Sequence, residues 1–435
     1  MKLKHSNVMS SVKEICEHFQ ENDYVLLVAQ MQSGKTGTYL EVAKKLFQEG
    51  TIESVVIFSG NRERMLYRQT VDRVNEVRKT KVPIKVVWGG DLNKFVPNKS
   101  LKTLYIWDES HYGQTKGMLL DIFCSKCGIN PKEGTNEKNV LCLSVSATPF
   151  SEVYNAKNSN KKVVFQKAPN EYWSIRKMEK NGLIHMYTDL SRTLDEQFRS
   201  LSKSKKSMVG LIRILEGRNN DNKELVFKKC KEHNLPYEIY DQTKNDATFM
   251  KMIEQPQESK IIILKGKLSM GKTLDEKRNV MFCVETTKKK NTDSLVQGLI
   301  GRFCGYNKLN KEVKFFIHES SEHPIIYSRF FKTKGEVIPQ RSMNLVMKKE
   351  VPQYQMTRFK IENKTNLKTQ IYRLMCVDDN VSHLTMSDYT IKKKGVKPKK
   401  KDKIYIGVDD SNEIEIIYIG DIIDSSRTTG NEIFK

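Results

Sequence analysis

Residues 24–47, YVLLVAQMQSGKTGTYLEVAKKLF, place three segments in one line: an apolar strand, a short turn of small and polar residues, and a stretch with apolar residues at helical spacing that runs into Gly50. A loop that cradles phosphate needs all three. The strand gives a rigid exit, the turn points successive backbone N–H groups inward, and the helix N-terminus adds the positive end of its dipole. The residues from Gln32 through Ser33, Gly34, Lys35 and Thr36 to Gly37 are placed to line such a cradle. Gly34 lets the backbone approach closely, Lys35 reaches the β- and γ-phosphates of ATP, and the Thr36 hydroxyl ligates Mg2+. Ala29 stands where the pattern G-x-x-x-x-G-K-T has its first glycine, which is tolerable if that position avoids positive φ.

A second stretch, GKLSMGKT at 266–273, fits the pattern at every fixed position. It fails on context. The residues LDEKRN that follow leave little room for a helix before the strand VMFCVE begins, and no acidic pair of the required kind comes after it. The first loop is answered by LYIWDESH, a hydrophobic strand ending in two carboxylates. Asp108 can hold the magnesium, directly or through water, and Glu109 can polarise the attacking water as general base.

Beyond these segments, apolar runs alternate with amphipathic ones, the pattern of parallel sheets covered by helices. The expected fold class is α/β, with two parallel-sheet domains in tandem and a smaller basic C-terminal extension. The expected boundaries are 1–150 for the ATP-binding domain, 151–204 for a linker with inserted elements, 205–325 for the second domain, and 326–435 for the extension. In the extension, aromatic residues (Tyr354, Phe359, Tyr372, Tyr389) are interleaved with lysines. Two readings stay open there, a grip on a single strand through charge and stacking, or a small accessory domain with solvated lysines.

The 435 residues carry 75 Lys and Arg against 52 Asp and Glu, a net charge of +23 spread along the chain, which draws polyanions. No apolar run reaches membrane-spanning length and no signal peptide is evident, so no membrane partner is expected. The cysteines sit mainly in apolar segments and read as core residues of a reducing compartment, with a cytoplasmic address that becomes nuclear in a eukaryotic host. Cys124 and Cys127 have the spacing of half a zinc site but lack a second pair, and read as free thiols.

The segments AQMQSGKT, VVIFSGNRERMLYRQ, WDESH, SVSATPF, LKGKLSMGKTLD and VQGLIGRFCGY follow one another in the order of motifs I, Ia, II, III, V and VI of superfamily 2 helicases and translocases. Over residues 20–310 the chain resembles that superfamily, its DExH kind, in a compact phage, plasmid or large-virus version. The resemblance implies that His111, Ser146 and Thr148 couple the nucleotide site to domain movement. Ser59, Asn61 and Arg62 would contact strand phosphates, as would Lys267 and Lys272 of GKLSMGKT, whose likeness to a phosphate loop is then coincidence. Gln297 would reach the nucleotide and Arg302 would cross the cleft to the γ-phosphate.

Motif VI departs from its usual form Q-x-x-G-R-x-x-R. Gln297 lies one residue further from Gly301, and Gly305 occupies the place of the second arginine, which puts efficient hydrolysis or its coupling in doubt. The implied function is an ATP-dependent motor on nucleic acid, with DNA favoured over RNA, acting as a monomer or within a larger complex. The alternatives are an ATP-gated binding or remodelling factor, and the motor subunit of a restriction or packaging assembly.

Overall fold

The structure, a computed structural model, describes residues 6–59, 64–77, 82–111, 118–214, 221–241, 243–244, 246–265, 274, 277–306 and 311–342, together with four strands nearer the C-terminus. Two compact units divide the chain at residues 345 and 346.

The first unit opens with helix α1 (Ser6–His18), then strand β1 (Tyr24–Val28), the phosphate-loop candidate, and helix α2 (Lys35–Gln48). Next come β2 (Ser54–Ser59), α3 (Arg64–Val77), β3 (Ile84–Trp88), β4 (Thr103–Asp108) and α4 (Leu119–Cys127). A small hairpin, β5 (Ile129–Asn130) and β6 (Thr135–Asn136), leads to β7 (Val140–Ser146), α5 (Phe150–Ala156) and β8 (Lys162–Phe165). Six of these strands form one parallel sheet in the order β3-β2-β4-β7-β1-β8.

Register decides what meets at the edge of that sheet. Val28 pairs with Ser146, Ser59 with Asp108, and Asp108 with Val145, so the loops after β1, β2, β4 and β7 all leave from the same C-terminal edge. Open parallel sheets bind ligands at that edge.

After α6 (Ile175–Lys180) the chain forms β9 (Ile184–Tyr187), α7 (Leu190–Ser202), β10 (Val209–Ile214), α8 (Asp221–Glu232), β11 (Tyr237–Tyr240), α9 (Asp246–Glu254) and β12 (Lys260–Lys265). Then follow β13 (Val280–Glu285), α10 (Thr292–Gly298), β14 (Lys314–His318) and α11 (Ile325–Lys332). Their strands make a second six-stranded parallel sheet, β11-β12-β10-β13-β14-β9. The two parallel-sheet domains expected from the alternation of apolar and amphipathic segments, RecA-like as the resemblance implies, are thus the fold of this unit.

Two of the expected boundaries need correction. Residues 151–204, expected to be a linker with inserted elements, contribute β8 to the edge of the first sheet and β9 to the edge of the second. The apolar run KVVFQ reads as a short strand and forms β8, whereas β9, with one buried residue in IHMY, does not stand out from its polar surroundings. Helix α11, assigned to the extension, belongs to the first unit, with Tyr327 and Phe330 in its core.

That core joins the two sheets. Alternate residues of β1, Leu26 and Val28, pack in one cluster with Leu211 of β10 and Ile262 and Leu264 of β12, closed over by Phe150, Tyr172, Tyr327 and Phe330. The remaining faces have cores of their own, one around Val25, Leu27, Ile106 and Leu143, another around Ile212, Ile263 and Val284.

The second unit has a four-stranded sheet, β15 (Met356–Lys360), β16 (Tyr389–Ile391), β17 (Ile404–Val408) and β18 (Glu413–Tyr418), in the order β15-β18-β17-β16. β18 runs antiparallel to both neighbours, and β16 parallel to β17. Strands β17 and β18 have the sequences IYIGV and EIEIIY, rich in β-branched residues that favour strands.

Phe330 is fully buried and meets Phe150 edge-on, their ring centroids 4.9 Å apart. Phe330→Ala is expected to lower unfolding stability by about 3–5 kcal/mol. Urea denaturation checks this, and a loss under about 1 kcal/mol would show that the seam between the sheets does not depend on this ring.

Candidate nucleotide site

The phosphate loop is shaped by two residues in the left-handed region, Gln32 at φ 55° and Gly34 at φ 100°. A Cβ built on Gly34 meets nothing within 4 Å, so backbone conformation rather than crowding favours glycine there. Ala29 is not among the residues with positive φ, in keeping with its replacement of the pattern's first glycine. Helix α2 starts at Lys35 directly behind the loop, its N-terminal N–H groups aimed at the edge.

Across the edge, the Lys35 ammonium lies 3.5 Å from Oε1 of Glu109. Asp108 ends β4, its Oδ1 accepting from the Glu109 N–H at 3.1 Å, and Glu109 itself takes φ 59°. Burial pushes Asp108 up to about 6, helped by the neighbouring Glu109 charge and opposed by Lys35 and Arg73. Burial also pushes Glu109 upward, but Lys35, His111 and Arg302 together outweigh it and hold the carboxyl below its ordinary value. The two carboxylates therefore differ: Glu109 is ionised near neutrality, and Asp108 is a carboxylate that a cation would relieve.

Oε2 of Glu109 makes no hydrogen bond among the described residues, with His111 Nδ1 3.4 Å away. Burial lowers the His111 pKa, so the imidazole is neutral. Its Nδ1 shares a 2.9 Å hydrogen bond with Ser146, whose Oγ also accepts from the Thr148 N–H at 3.1 Å.

From the second sheet, Gln297 on α10 donates to the Thr148 hydroxyl at 3.0 Å. Expected at the nucleotide, this amide meets the SAT turn. A polar path therefore runs from Glu109 through His111, Ser146 and Thr148 into the other lobe.

Arg302, in a tight turn at Ile300–Phe303, is almost fully buried, and its charge acts on Glu109. Underneath lies an ion pair between Arg213 at the end of β10 and Glu285 at the end of β13. Gly298 sits so close over it that an added Cβ would fall 1.5 Å from Arg213 Nη1, which explains a glycine in the middle of VQGLIGR. Gly305 takes φ 126°.

The structure thus brings Gln32, Ser33, Gly34, Lys35, Thr36, Asp108, Glu109, His111, Ser146, Thr148, Gln297 and Arg302 to one region where the lobes meet. Gly37 lies in the first turn of α2. Ser59 ends β2 beside Asp108. Asn61, Arg62, Lys267 and Lys272 lie outside the described residues, as does all of GKLSMGKT, which leaves from the C-terminal end of β12.

Cys124 and Cys127 lie on helix α4 rather than in a metal-gripping turn, and both are buried. Among the described residues no group of three His, Cys, Asp or Glu side chains is placed to hold a metal ion. Nor is any described helix long and apolar enough to cross a membrane.

Several residues here carry no signal in the sequence. Gln166, just after β8, is buried and accepts from the Thr38 hydroxyl at 2.7 Å while donating to the Ser33 carbonyl at 3.3 Å, so it braces the phosphate loop from behind. Glu152 on α5 accepts from the Ser110 hydroxyl at 2.6 Å and fixes the turn after Glu109. Arg73 on α3 donates to the Thr36 hydroxyl at 2.7 Å.

The donor set suits a magnesium nucleotide. The loop N–H groups and Lys35 could hold phosphate, and the Thr36 hydroxyl with a buried carboxylate could offer oxygen to a hard cation.

No protein-family model matches the chain. Uncharacterized protein L594 of Acanthamoeba polyphaga mimivirus is 24% identical over 341 residues, spanning 71% of this chain and 84% of that protein. Among solved structures, S. cerevisiae Dbp5 bound to RNA and ADP BeF3 is similar at 15% identity and TM-score 0.45, over 77% of this chain and 92% of its own. The DEAD-box helicase Mss116 bound to ssRNA and UDP-BeF is similar at 13% identity and TM-score 0.49, over 85% and 77% of the two chains. The Escherichia coli DEAH/RHA helicase HrpB is similar at 11% and 0.45, over 86% and 47%.

Because the folded Asp108 pKa lies above the ordinary 3.8, the stability this group lends is fully present below that value and lost as pH rises through about 6. Asp108→Asn should therefore stabilise the nucleotide-free protein at pH 8, by up to about 3 kcal/mol, with the gain gone near pH 4. Melting curves at the two pH values test this. An equal effect at both would mean that Asp108 is not ionised at a cost.

Proposed function

We propose that this chain is an ATP-driven motor on nucleic acid, a helicase or translocase whose two lobes close on the nucleotide and change their grip on a strand. The observation that carries the reading is the convergence of Lys35, Asp108 and Glu109 on one sheet edge with Arg302 of the opposite lobe acting on the same carboxylate. A bound magnesium nucleotide would supply the phosphorus to be attacked and the leaving group. Thr36 and Asp108 hold the cation, and the loop from Gln32 to Gly37 holds the phosphates.

Glu109, kept ionised by Lys35, orients water and takes its proton. His111 is neutral and packs beside Glu109 while its Nδ1 ties to Ser146, and Arg302 balances charge that builds up during transfer. When the charge that draws the arginine is lost, the path from Glu109 to Gln297 carries the change to the second lobe. A net charge of +23 supports electrostatic grip on a polyanion without regard to base sequence.

One further observation favours a slower variant of the same reading, an ATP-gated switch. The lobes share a continuous apolar core, and position 305 carries glycine in place of a second arginine.

ATP hydrolysis measured with single-stranded DNA, single-stranded RNA, duplex and no nucleic acid tests the proposal. Stimulation by at least one polynucleotide is expected, with Glu109→Gln slower by about 10²–10⁴-fold and nucleotide affinity retained. Undiminished hydrolysis by Glu109→Gln would remove the general base from this site. Affinity for an oligonucleotide should also fall steeply with salt, linearly on logarithmic axes. A flat titration would contradict the electrostatic grip.

A further inference from the structure

Gln32 occupies an unusual place. It is a residue with a β-carbon at φ 55°, a conformation that costs energy in any side chain but glycine, yet its amide is turned to the second lobe. Its Nε2 donates to the backbone carbonyl of Arg302 at 2.9 Å. Its Oε1 accepts from the Lys277 ammonium at 2.8 Å, and the same ammonium donates to the Cys304 carbonyl at 3.2 Å. One end of the Gln32 amide thus meets the segment that delivers Arg302 directly, and the other reaches it through Lys277.

Facing it is Gly305, at φ 126° and fixed by paired backbone hydrogen bonds with Trp173 of 2.7 and 3.1 Å. A Cβ at 305 would stand 3.3 Å from Gln32 Oε1, tighter than side chains normally pack. An arginine there would need a backbone conformation it disfavours and the space that Gln32 fills.

We propose that Gln32 is the positioning residue for Arg302. Held by Lys277, its amide pins the Arg302 backbone against the phosphate loop and so presents the guanidinium to Glu109 and the phosphate end of the site. The tie between lobes is made from the loop outward, on the side of the cleft opposite to a second motif VI arginine. This inference rests on the nucleotide site proposed above and adds a role to a loop residue whose backbone alone was expected to matter.

Gln32→Gly is the informative variant, because it removes the amide while easing the backbone, so relief of the left-handed conformation offsets part of the stability lost with the two hydrogen bonds. The expected result is kcat for ATP reduced by at least about tenfold, with KM and the affinity for a fluorescent ADP within about twofold of the parent. Unfolding should stay cooperative, and amide exchange over residues 302–305 should quicken. Lys277→Met, which removes the anchor, should reproduce the kcat loss.

Because Gln32 acts through Arg302, Gln32→Gly combined with Arg302→Gln should be no slower than Arg302→Gln alone. Wild-type kcat in Gln32→Gly, losses that multiply in the double variant, or unchanged exchange at 302–305 would each overturn the proposal. Glu109→Gln, assayed alongside, separates the two layers. If it hydrolyses ATP like the parent, the nucleotide site itself is misread; if it is impaired while Gln32→Gly matches the parent, only the positioning role falls.

Discussion

The parallel register of the first sheet is the constraint on which the site depends. Four loops far apart in sequence can meet only if β1, β2, β4 and β7 end together, and the pairings Val28 with Ser146 and Asp108 with both Ser59 and Val145 enforce that. Hydrogen bonds of the ladder fix the ends of the strands to within a residue, and the apolar alternation fixes which side chains point up or down. A slip of one residue in β4 would turn Asp108 to the other face and leave Lys35 without its carboxylate. The chemistry of the edge is therefore an outcome of core packing some distance below it.

Much of this was legible before any coordinates. The apolar runs YVLLVA, LYIWDES and VLCLSVSATP declare themselves as strands, and a glycine, lysine and threonine between a strand and a helix admit few other uses. What escaped notice was of two kinds. Edge strand β9 is short and only partly buried, so it merges with a segment rich in Asn, Lys and Ser, while β8 shows as the apolar run KVVFQ. Bracing residues such as Gln166, Glu152, Arg73 and Lys277 carry no motif, since an amide or ammonium acquires its role only from what the fold sets beside it. The cysteine pair has the spacing of half a metal site but reads as free thiols for want of a second pair, and it forms one turn of helix α4 packed into an apolar core.

The relation between the lobes also departs from a simple hinge. A clamp that opens freely needs a wet, polar cleft, whereas here Leu26 and Val28 of the first sheet share a core with Leu211 and Ile262 of the second. Phe165 and Phe330, with rings 5.5 Å apart, extend that seam. Moving one lobe against the other must slide these contacts rather than separate them, because exposing so much apolar surface would cost more than nucleotide binding typically supplies. Small rotations about the seam, relayed through the polar path between Glu109 and Gln297, fit this better than wide opening.

The backbone of the phosphate loop also has a debt to the far end of its unit. The Met31 N–H donates to the Tyr327 hydroxyl at 3.1 Å, and the Met31 carbonyl accepts from Tyr172 at 2.5 Å. A ribosome making this protein completes the first sheet long before residue 327 leaves the exit tunnel, so the nascent chain holds this loop with the Met31 N–H still turned to water, although Tyr172 is already at hand for the carbonyl. The loop thus gains its last backbone partner only when nearly the whole unit has been synthesised.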